Sequence, residues 1–244
     1  MNKKCELIYE GKAKKIFASE DPKKVIIEFK DDATAFNASK KAQFKGKGEL
    51  NCMISTRIFE YLDKHNITTH FIEKIDDISI IAHKVKIIPI EVVLRNIAYG
   101  SICKQTTIQP RTKFEIPIID LYLKNDELND PLLTTDRILL MNLIKTSEMK
   151  VIKDLTLRIN DILKNFFLTI DLELVDFKLE FGFNHNGDIL LADEFSPDNC
   201  RLWDLKAKDV KIKSLDKDRF RNDLGDLLEA YSEINTRINN FIGS

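Results

Sequence analysis

The sequence predicts an α+β fold, with a strand-rich N-terminal lobe over residues 1–86 and a larger mixed lobe over residues 87–244. Three observations favour this architecture. Short runs of β-branched and aromatic residues fill the first third of the chain. Two later segments repeat apolar residues at helical spacing. Between these segments, residues 175–204 have the pattern of a β-hairpin followed by a charged loop.

The N-terminal elements follow from β-propensity and from the turn residues between them. Strands are expected at residues 7–9, 14–18, 25–29, 71–75 and 78–95. Glu10-Gly11 and Asp21-Pro22 mark the first two turns. A helix is expected over residues 50–62, where apolar residues recur every three or four positions.

The mixed lobe begins with weak signals. Residues 99–131 contain several prolines and are predicted to be loops around a few short elements. An apolar stripe predicts a helix that starts after Ser147 and continues to Phe166. A second stripe, from Asp216 to the C-terminus, predicts a terminal helix.

Composition describes an ordinary globular protein. The 244 residues carry a formal net charge of −1, with 43% hydrophobic and 32% charged residues. The near-zero charge argues against a polyanion as partner of the whole molecule. Residues 1–47 hold 12 lysines against 7 acidic residues, a local charge of +5. A nucleic-acid-binding module is therefore an alternative, disfavoured because this segment lacks arginine.

Cysteine usage and hydropathy indicate a cytoplasmic protein. The four cysteines are far apart, with no CxxC spacing, which suits a reducing compartment. We expect no secretory signal, because no apolar core follows the first lysines. No apolar run has the length of a membrane span.

Several motifs of common enzymes are missing from the chain. The eight glycines form neither G-x-G-x-x-G nor a P-loop. There is no H-E-x-x-H and no G-x-S-x-G, and the four histidines are scattered. Dinucleotide, zinc-hydrolase and serine-triad chemistry therefore have little support in the sequence.

The clearest chemical signal is the predicted hairpin. Lys178 and Glu180 alternate with apolar residues, so they share one face of a strand. Asn186-Gly187 predicts the turn, which would bring Glu180 near Asp193. Two carboxylates and an ammonium suit a divalent cation held beside phosphate oxygens. The alternative is the solvated face of an antiparallel sheet.

Two weaker signals accompany the hairpin. Gly11 lies at a predicted turn, with Lys12 and Lys14 after it, which suits a flap over nucleotide phosphates. Arg95 ends an apolar strand six residues before Ser101, which suits a planar anion. Both patterns have ordinary alternatives: a common hairpin turn, and an interlobe ion pair at Arg95.

Seven segments in order resemble the SAICAR synthetase family. They are YEGKAKKIF, KDDATAFN, VVLRNIAYGS, LYLKNDELNDP, LVDFKLEFG, LLADEFSPDNCRLWD and LDKDRFR. The resemblance implies a kinase-like or ATP-grasp-like N-terminal lobe, with ATP in the cleft between the lobes. It implies an ATP- and Mg²⁺-dependent ligase of purine biosynthesis. This enzyme joins L-aspartate to the carboxylate of 5-amino-1-(5-phosphoribosyl)imidazole-4-carboxylate. Relatives form homo-oligomers, so a homodimer is expected.

The resemblance also implies residue roles. The positions matched to ATP are Lys12, Lys14, Lys124, Lys178, Glu180 and Asp193. Glu180 and Asp193 are also the implied metal ligands and, with Lys178, the catalytic residues. The positions matched to the imidazole substrate are Arg95, Ser101, Asp198, Arg201, Lys217 and Arg221.

Three positions depart from the family pattern. Asn37 stands where many relatives have Asp, Ala38 where Gly is common, and Tyr99 where a small residue precedes Gly100. The alternative enzyme is a small-molecule kinase, which would retain the phosphoryl group on its product and consume no aspartate.

Overall fold

The computed structural model describes residues 4–35, 39–208 and 213–242. The departures Asn37 and Ala38 lie outside the described residues. Among the described helices, none combines the length and apolarity that a bilayer crossing requires.

An antiparallel sheet dominates the N-terminal part of the chain. Its order is β1-β2-β3-β7-β6. The strands are β1 (Leu7–Glu10), β2 (Lys14–Ala18), β3 (Lys24–Phe29), β6 (Phe71–Lys74) and β7 (Ser79–His83). A separate two-stranded ribbon pairs β4 (Asp32–Ala35) with β5 (Lys40–Gln43). Helix α1 (Lys47–Lys64) connects this ribbon to β6.

A second antiparallel sheet begins after residue 85. Its order is β10-β9-β8-β11-β12, and β13 pairs with part of β11. The strands are β8 (Lys86–Ile97), β9 (Lys113–Leu123), β10 (Leu132–Leu133), β11 (Leu172–Phe183), β12 (Ile189–Ala192) and β13 (Cys200–Asp204). The helices are α2 (Ser101–Gln105), α3 (Thr135–Leu140), α4 (Thr146–Thr169), α5 (Asp218–Arg221) and α6 (Leu227–Ile242). A short 3₁₀ turn spans Asp126–Leu128.

The main core joins the two parts of the chain. Helix α4 packs on β11 and β8, while α1 packs on both the first sheet and α6. Buried α1 residues such as Ile58 and Phe59 belong to the same apolar cluster as Phe166 and Ile234. Because α1 shares its core with C-terminal elements, the two sheets do not bury their apolar faces independently.

Most predicted elements occur near their predicted bounds. The strand over residues 14–18 is found as predicted, and the first helix extends the predicted residues 50–62 to 47–64. The apolar stretch over residues 78–95 is two strands, because the chain leaves the first sheet at residues 84–85 and enters the second.

Two predictions of local structure were wrong. The segment 99–131, expected to be loops, contains the 11-residue strand β9. Pro117 is tolerated there because only residues 121–122 of β9 pair with β10, so the rest of β9 is an edge. The terminal helix is divided into α5 and α6, since Asp223 and Gly225 have positive φ angles of 53° and 115°.

Candidate functional site

Strand β11 separates an apolar face from a charged face, as its alternation predicts. The buried apolar side chains are Phe177, Leu179 and Phe181. The opposite face carries Asp176, Lys178 and Glu180. Long stretches of this strand pair with β8 on one side and with β13 or β12 on the other, so its charged side chains are held on a rigid element.

The hairpin brings the two predicted metal carboxylates together. Glu180 pairs with Ala192 across the hairpin, and Asp193 follows directly. The Lys178 ammonium lies 2.5 Å from Glu180 Oε1 and 3.8 Å from Asp193 Oδ2. Asp193 has a φ of 64°. This left-handed conformation, uncommon outside glycine, ends β12 and turns the carboxylate towards the first lobe.

Lysines from other elements complete this charged cluster. Lys14 on β2 pairs with Asp193 and donates to Glu194 Oε1 at 2.7 Å, and Lys124 pairs with Glu180. Burial disfavours the charged form of Lys14, but Asp193 and Glu194 outweigh it and raise the Lys14 pKa. Burial likewise opposes ionisation of Asp193, but the charge of Lys14 holds the Asp193 pKa well below its usual range.

Lys12 lies apart from this cluster. It occupies the turn between β1 and β2 rather than the returning strand, and its ammonium is 2.5 Å from Asp126 Oδ1. Lys12, Gly11 and Asp126 line a cavity of about 640 Å³ beside the β4–β5 ribbon. Both members of the ion pair are largely exposed, so the pair contributes little to stability and can open readily.

A buried histidine lies behind Asp193. His70 is 3% exposed, and its backbone N–H donates to the Leu191 carbonyl at 2.8 Å. Its Nε2 has no hydrogen-bond partner among the described residues. Burial lowers the pKa of His70 to about 4, against the opposing effect of Asp193, so the imidazole is neutral near pH 7.

The His70 pKa predicts acid sensitivity of the fold. Below about pH 6.5 His70 of the unfolded chain binds a proton, whereas His70 of the native state binds one only below about pH 4. The free energy of unfolding is therefore expected to fall by about 2–3 kcal/mol over this range on account of His70. Urea unfolding of the His70→Gln variant should show a shallower pH dependence than the original protein. Gln in place of the exposed His185 is the control and should leave the pH dependence of the unfolding free energy as in the original protein. The same pH dependence in all three proteins would contradict the prediction.

Sheet register places two predicted anion-binding arginines on either side of one carboxylate. Asp176 on β11 is the direct pairing partner of Arg95 on β8 and of Arg201 on β13. Asp176 Oδ2 accepts from Arg95 Nη1 at 3.2 Å and from Arg201 Nη1 at 2.7 Å. Although burial opposes the charged form, Asp176 and Asp218 raise the pKa of Arg201.

The arginines face a cavity of about 390 Å³. Its lining includes Arg95, Ser101, Lys178, Asp198, Arg201 and Arg221. Arg95 Nη2 donates to Ser101 Oγ at 2.9 Å, and Arg221 Nη1 donates to Asp218 Oδ1 at 2.6 Å. Of the predicted substrate residues, Lys217 alone is not among the lining residues; burial lowers its pKa, with Asp198 opposing. The cavity thus presents several cationic forks beside the Lys178 cluster.

Tyr99 and Gly100 shape the rim beside Arg201. The Arg201 guanidinium lies 5.5 Å from the centre of the Tyr99 ring, close enough for a cation–π contact. Gly100 has a φ of 68°, and a Cβ atom there would lie 2.8 Å from Arg201 Nη2. The Tyr99 departure therefore affects how the arginine is held.

Gly100→Ala is expected to weaken both the fold and the arginine's position. The positive φ should cost about 1–3 kcal/mol of unfolding free energy for a residue with a Cβ. The Cβ should also displace the Arg201 guanidinium, which raises the KM of any anion it binds. Thermal unfolding and steady-state kinetics would check this. Ala at Gly187, whose φ of 88° also disfavours a side chain but whose surroundings are open, is the control; equal kinetic effects in both variants would contradict the steric argument.

Comparison with known proteins identifies the family. The SAICAR synthetase family model matches residues 7–238. A phosphoribosylaminoimidazole-succinocarboxamide synthase of Prochlorococcus marinus subsp. pastoris is 68% identical over 242 residues, covering 99% of this chain and all of the relative. The chain belongs to the SAICAR synthetase family. It is an ATP-dependent ligase that forms SAICAR in purine biosynthesis, with Mg²⁺ as its associated ion.

Solved structures support the two-lobed SAICAR synthetase fold. The crystal structure of the synthase from Ehrlichia chaffeensis has a TM-score of 0.92 at 47% identity, covering 96% of this chain and 98% of that one. A SAICAR synthetase structure in complex with ADP has a TM-score of 0.91 at 48% identity, with the same coverage. The fold class predicted from the sequence is therefore confirmed.

The charged cluster supplies part of a Mg²⁺ coordination shell. No three His, Cys, Asp or Glu side chains within residues 4–35, 39–208 and 213–242 are arranged to hold a metal. Glu180 and Asp193 supply two carboxylates that one ammonium reaches together. Mg²⁺ in nucleotide enzymes commonly uses one or two carboxylates and completes its shell with phosphates and water. The residues present therefore fit a Mg²⁺ ion that arrives with a nucleotide.

Several charged residues of this site were not predicted from the sequence. Asp176 was detectable, since it precedes Lys178 and Glu180 on the same face of the strand. Glu194 was detectable too, as the second acid after β12. Lys47 and Asp218 carried no local signal, because only their tertiary contacts distinguish them from surface charges.

Proposed function

We propose that the charged cluster binds the phosphates of ATP. Lys14, Lys124 and Lys178 come from three separate segments and converge on Glu180 and Asp193. This convergence is the observation that carries the proposal. A Mg²⁺ ion on Glu180 and Asp193 would change the net charge of this cluster, with its three ammoniums and four carboxylates, from −1 to +1, so phosphate oxygens would then be bound favourably. Lys12 lies apart from these three lysines, on the exposed turn, and would contact the nucleotide when its ion pair with Asp126 opens.

We propose that Glu180 and Asp193 hold Mg²⁺ when the nucleotide is bound. The bound ion would neutralise phosphate charge during phosphoryl transfer. Glu91 and Glu194 add to the local negative charge, giving four carboxylates around the three ammoniums of Lys14, Lys124 and Lys178. The excess of one negative charge favours a cation.

We propose that the 390 Å³ cavity binds the phosphorylated imidazole carboxylate. Arg201 and Arg221 provide guanidinium donors with the planar geometry that phosphate and carboxylate accept, and Arg95 and Ser101 line the same cavity. Asp198 lines the same cavity, and Lys217 directly precedes α5, which carries Arg221. Because Lys178 lines this cavity as well as the charged cluster, the two substrates would meet at this residue.

The reaction follows from the need to activate a carboxylate. The carboxylate oxygen attacks the γ-phosphorus of ATP, so that a C–O–P linkage forms and ADP leaves. The L-aspartate amine then attacks the acyl carbon, the C–N bond forms, the C–O bond breaks and phosphate leaves. The amine nitrogen loses one proton to solvent in this step. The lysines would stabilise phosphate charge and the arginines would orient the imidazole substrate.

A product assay tests this assignment. With ATP, Mg²⁺, L-aspartate and the carboxylated imidazole nucleotide, one phosphate should be released for each aspartate consumed, and removal of divalent cation by EDTA should stop both. A kinase would instead retain the phosphoryl group on its product without consuming aspartate. Phosphate release that does not depend on aspartate would overturn the proposal.

We further propose that the protein acts in the cytoplasm as a homodimer, with lobes that divide at residues 1–86 and 87–244. The change of sheet between His83 and Lys86 supports this division. Cys52, Cys103 and Cys200 form no disulfide within the described part of the chain, in keeping with a reducing compartment. Light scattering of the purified protein tests the dimer; a monomer mass at assay concentrations would refute it.

A further inference from the structure

A buried polar cluster surrounds Asp198 where α1, the loop after β12 and α6 meet. Lys47 Nζ donates to Asp198 Oδ2 at 2.5 Å, and Asn51 Nδ2 donates to the same oxygen at 3.1 Å. The Tyr231 hydroxyl donates to Asp198 Oδ1 at 2.7 Å. Lys47 and Tyr231 have no exposed surface, and Asn51 is 1% exposed. Three donors from distant parts of the chain thus converge on one carboxylate.

This cluster is poorly explained by stability alone. Removing a lysine and an aspartate from water costs several kcal/mol per ion, and apolar residues of similar volume often stabilise a core as well or better. Asn51 Oδ1 also has no hydrogen-bond partner among the described residues. A buried amide with an unsatisfied oxygen adds to the cost. The arrangement therefore favours a role for the geometry of Asp198.

Counting acceptor positions shows what remains available on Asp198. A carboxylate has about four lone-pair positions. Lys47 and Asn51 use two on Oδ2, and Tyr231 uses one on Oδ1. Asp198 also lines the 390 Å³ cavity. One acceptor position on Oδ1 is left for a donor in that cavity.

The cavity's charges indicate the kind of donor. Arg95, Arg201 and Arg221 suit the anionic groups of a substrate, whereas Asp198 would repel them. Burial opposes ionisation of Asp198, but Lys217 and Lys47 hold its pKa well below the usual range. A carboxylate whose pKa lies so far below 7 is too weak a general base near pH 7. It can accept a hydrogen bond from an amino group.

We propose that Lys47, Asn51 and Tyr231 are positioning residues that hold Asp198 ionised and oriented, so that its remaining acceptor position binds a substrate amino group. This inference rests on the proposed function of the cavity and names a residue set that supports it. Both the L-aspartate amine and the 5-amino group of the imidazole nucleotide have the required N–H donors. The KM values of a Tyr231 variant distinguish these two donors.

Tyr231→Phe is the first test, because it removes one hydroxyl and preserves the ring. We expect the KM of one amino-bearing substrate to rise about tenfold, as for the loss of a hydrogen bond to a charged group, with the KM of ATP unchanged. A rise for L-aspartate assigns the acceptor to its amine, and a rise for the imidazole nucleotide assigns it to the 5-amino group. No rise, or an equal rise for all three substrates including ATP, overturns the proposal.

Ile234→Val is the matched control on the same helix. Ile234 is fully buried, and losing one methylene there perturbs packing without touching Asp198. Its three KM values should equal those of the original protein. Leu is similar in size to Asn, so Asn51→Leu removes a second donor to Asp198 with little change in volume. It should raise the KM of the same substrate as Tyr231→Phe does, and it tests the proposal if Tyr231→Phe folds poorly. A KM change in Ile234→Val matching that of Tyr231→Phe would indicate a general packing effect and overturn the proposal.

A double-mutant cycle with Asp198→Asn tests whether Tyr231 acts through Asp198. If it does, Tyr231→Phe should change KM less than twofold in the Asp198→Asn background. The same tenfold change in both backgrounds overturns the proposal. Failure of Arg201→Ala to raise the KM of the imidazole nucleotide would refute the cavity assignment itself. If Arg201→Ala raised the KM of the imidazole nucleotide but Tyr231→Phe changed no KM, only the present inference would be refuted.

Discussion

Asp193→Asn is expected to lower ligation by at least about 1000-fold while preserving the fold. The substitution removes the negative charge that a bound Mg²⁺ requires, and metal stabilisation of a transition state amounts to several kcal/mol. Asn tolerates the left-handed backbone at this position, where φ is 64°. Initial rates of phosphate release at saturating substrates would measure the effect.

A control variant and a stability measurement distinguish the loss of activity in Asp193→Asn from misfolding. Asn in place of the exposed Asp188, which lies on the same hairpin and accepts from Asn184 Nδ2, should leave activity unchanged. Asp193→Asn leaves Lys14 with Glu194 as its remaining partner, so a modest loss of thermal stability is expected. Full Mg²⁺-dependent activity of Asp193→Asn would remove the metal assignment.

Arg201→Ala is expected to raise the KM of the imidazole nucleotide about 100-fold, with a much smaller effect on ATP. Two charge-assisted hydrogen bonds to an anionic group are worth about 3 kcal/mol or more together. The fold should persist, because Asp176 keeps Arg95 and Asp218 keeps Arg221 as partners. Steady-state kinetics with each substrate varied in turn would compare the change in the KM of the imidazole nucleotide with the change in the KM of ATP.

Two further variants sharpen the Arg201 experiment. Arg201→Lys retains the charge but loses the planar fork, so its KM should lie between those of the original protein and Arg201→Ala. Ala in place of the exposed Arg158 on α4 should have no kinetic effect. If Arg201→Ala raised both KM values equally, Arg201 would not belong to the imidazole site.

Local pattern predicted the element that carries the charged cluster. Alternation along residues 177–181 and the Asn186-Gly187 turn were sufficient to predict that Glu180 and Asp193 lie together. Strand β9 was missed for the opposite reason: prolines suggested loops, and only its edge position explains why Pro117 is tolerated. The prediction of a single terminal helix was wrong because Asp223 and Gly225, which have left-handed backbone conformations, interrupt the helix.

The sequence by itself determined the family, the strand alternation and the hairpin that brings Glu180 near Asp193, because periodicity, turn chemistry and motif order are properties of neighbouring residues. The tertiary structure alone decided that Arg95, Asp176 and Arg201 lie side by side, and that Lys47 and Tyr231 meet Asp198. Those contacts join residues up to 151 positions apart. Their formation depends on sheet register and core packing over the whole chain, which no local pattern encodes.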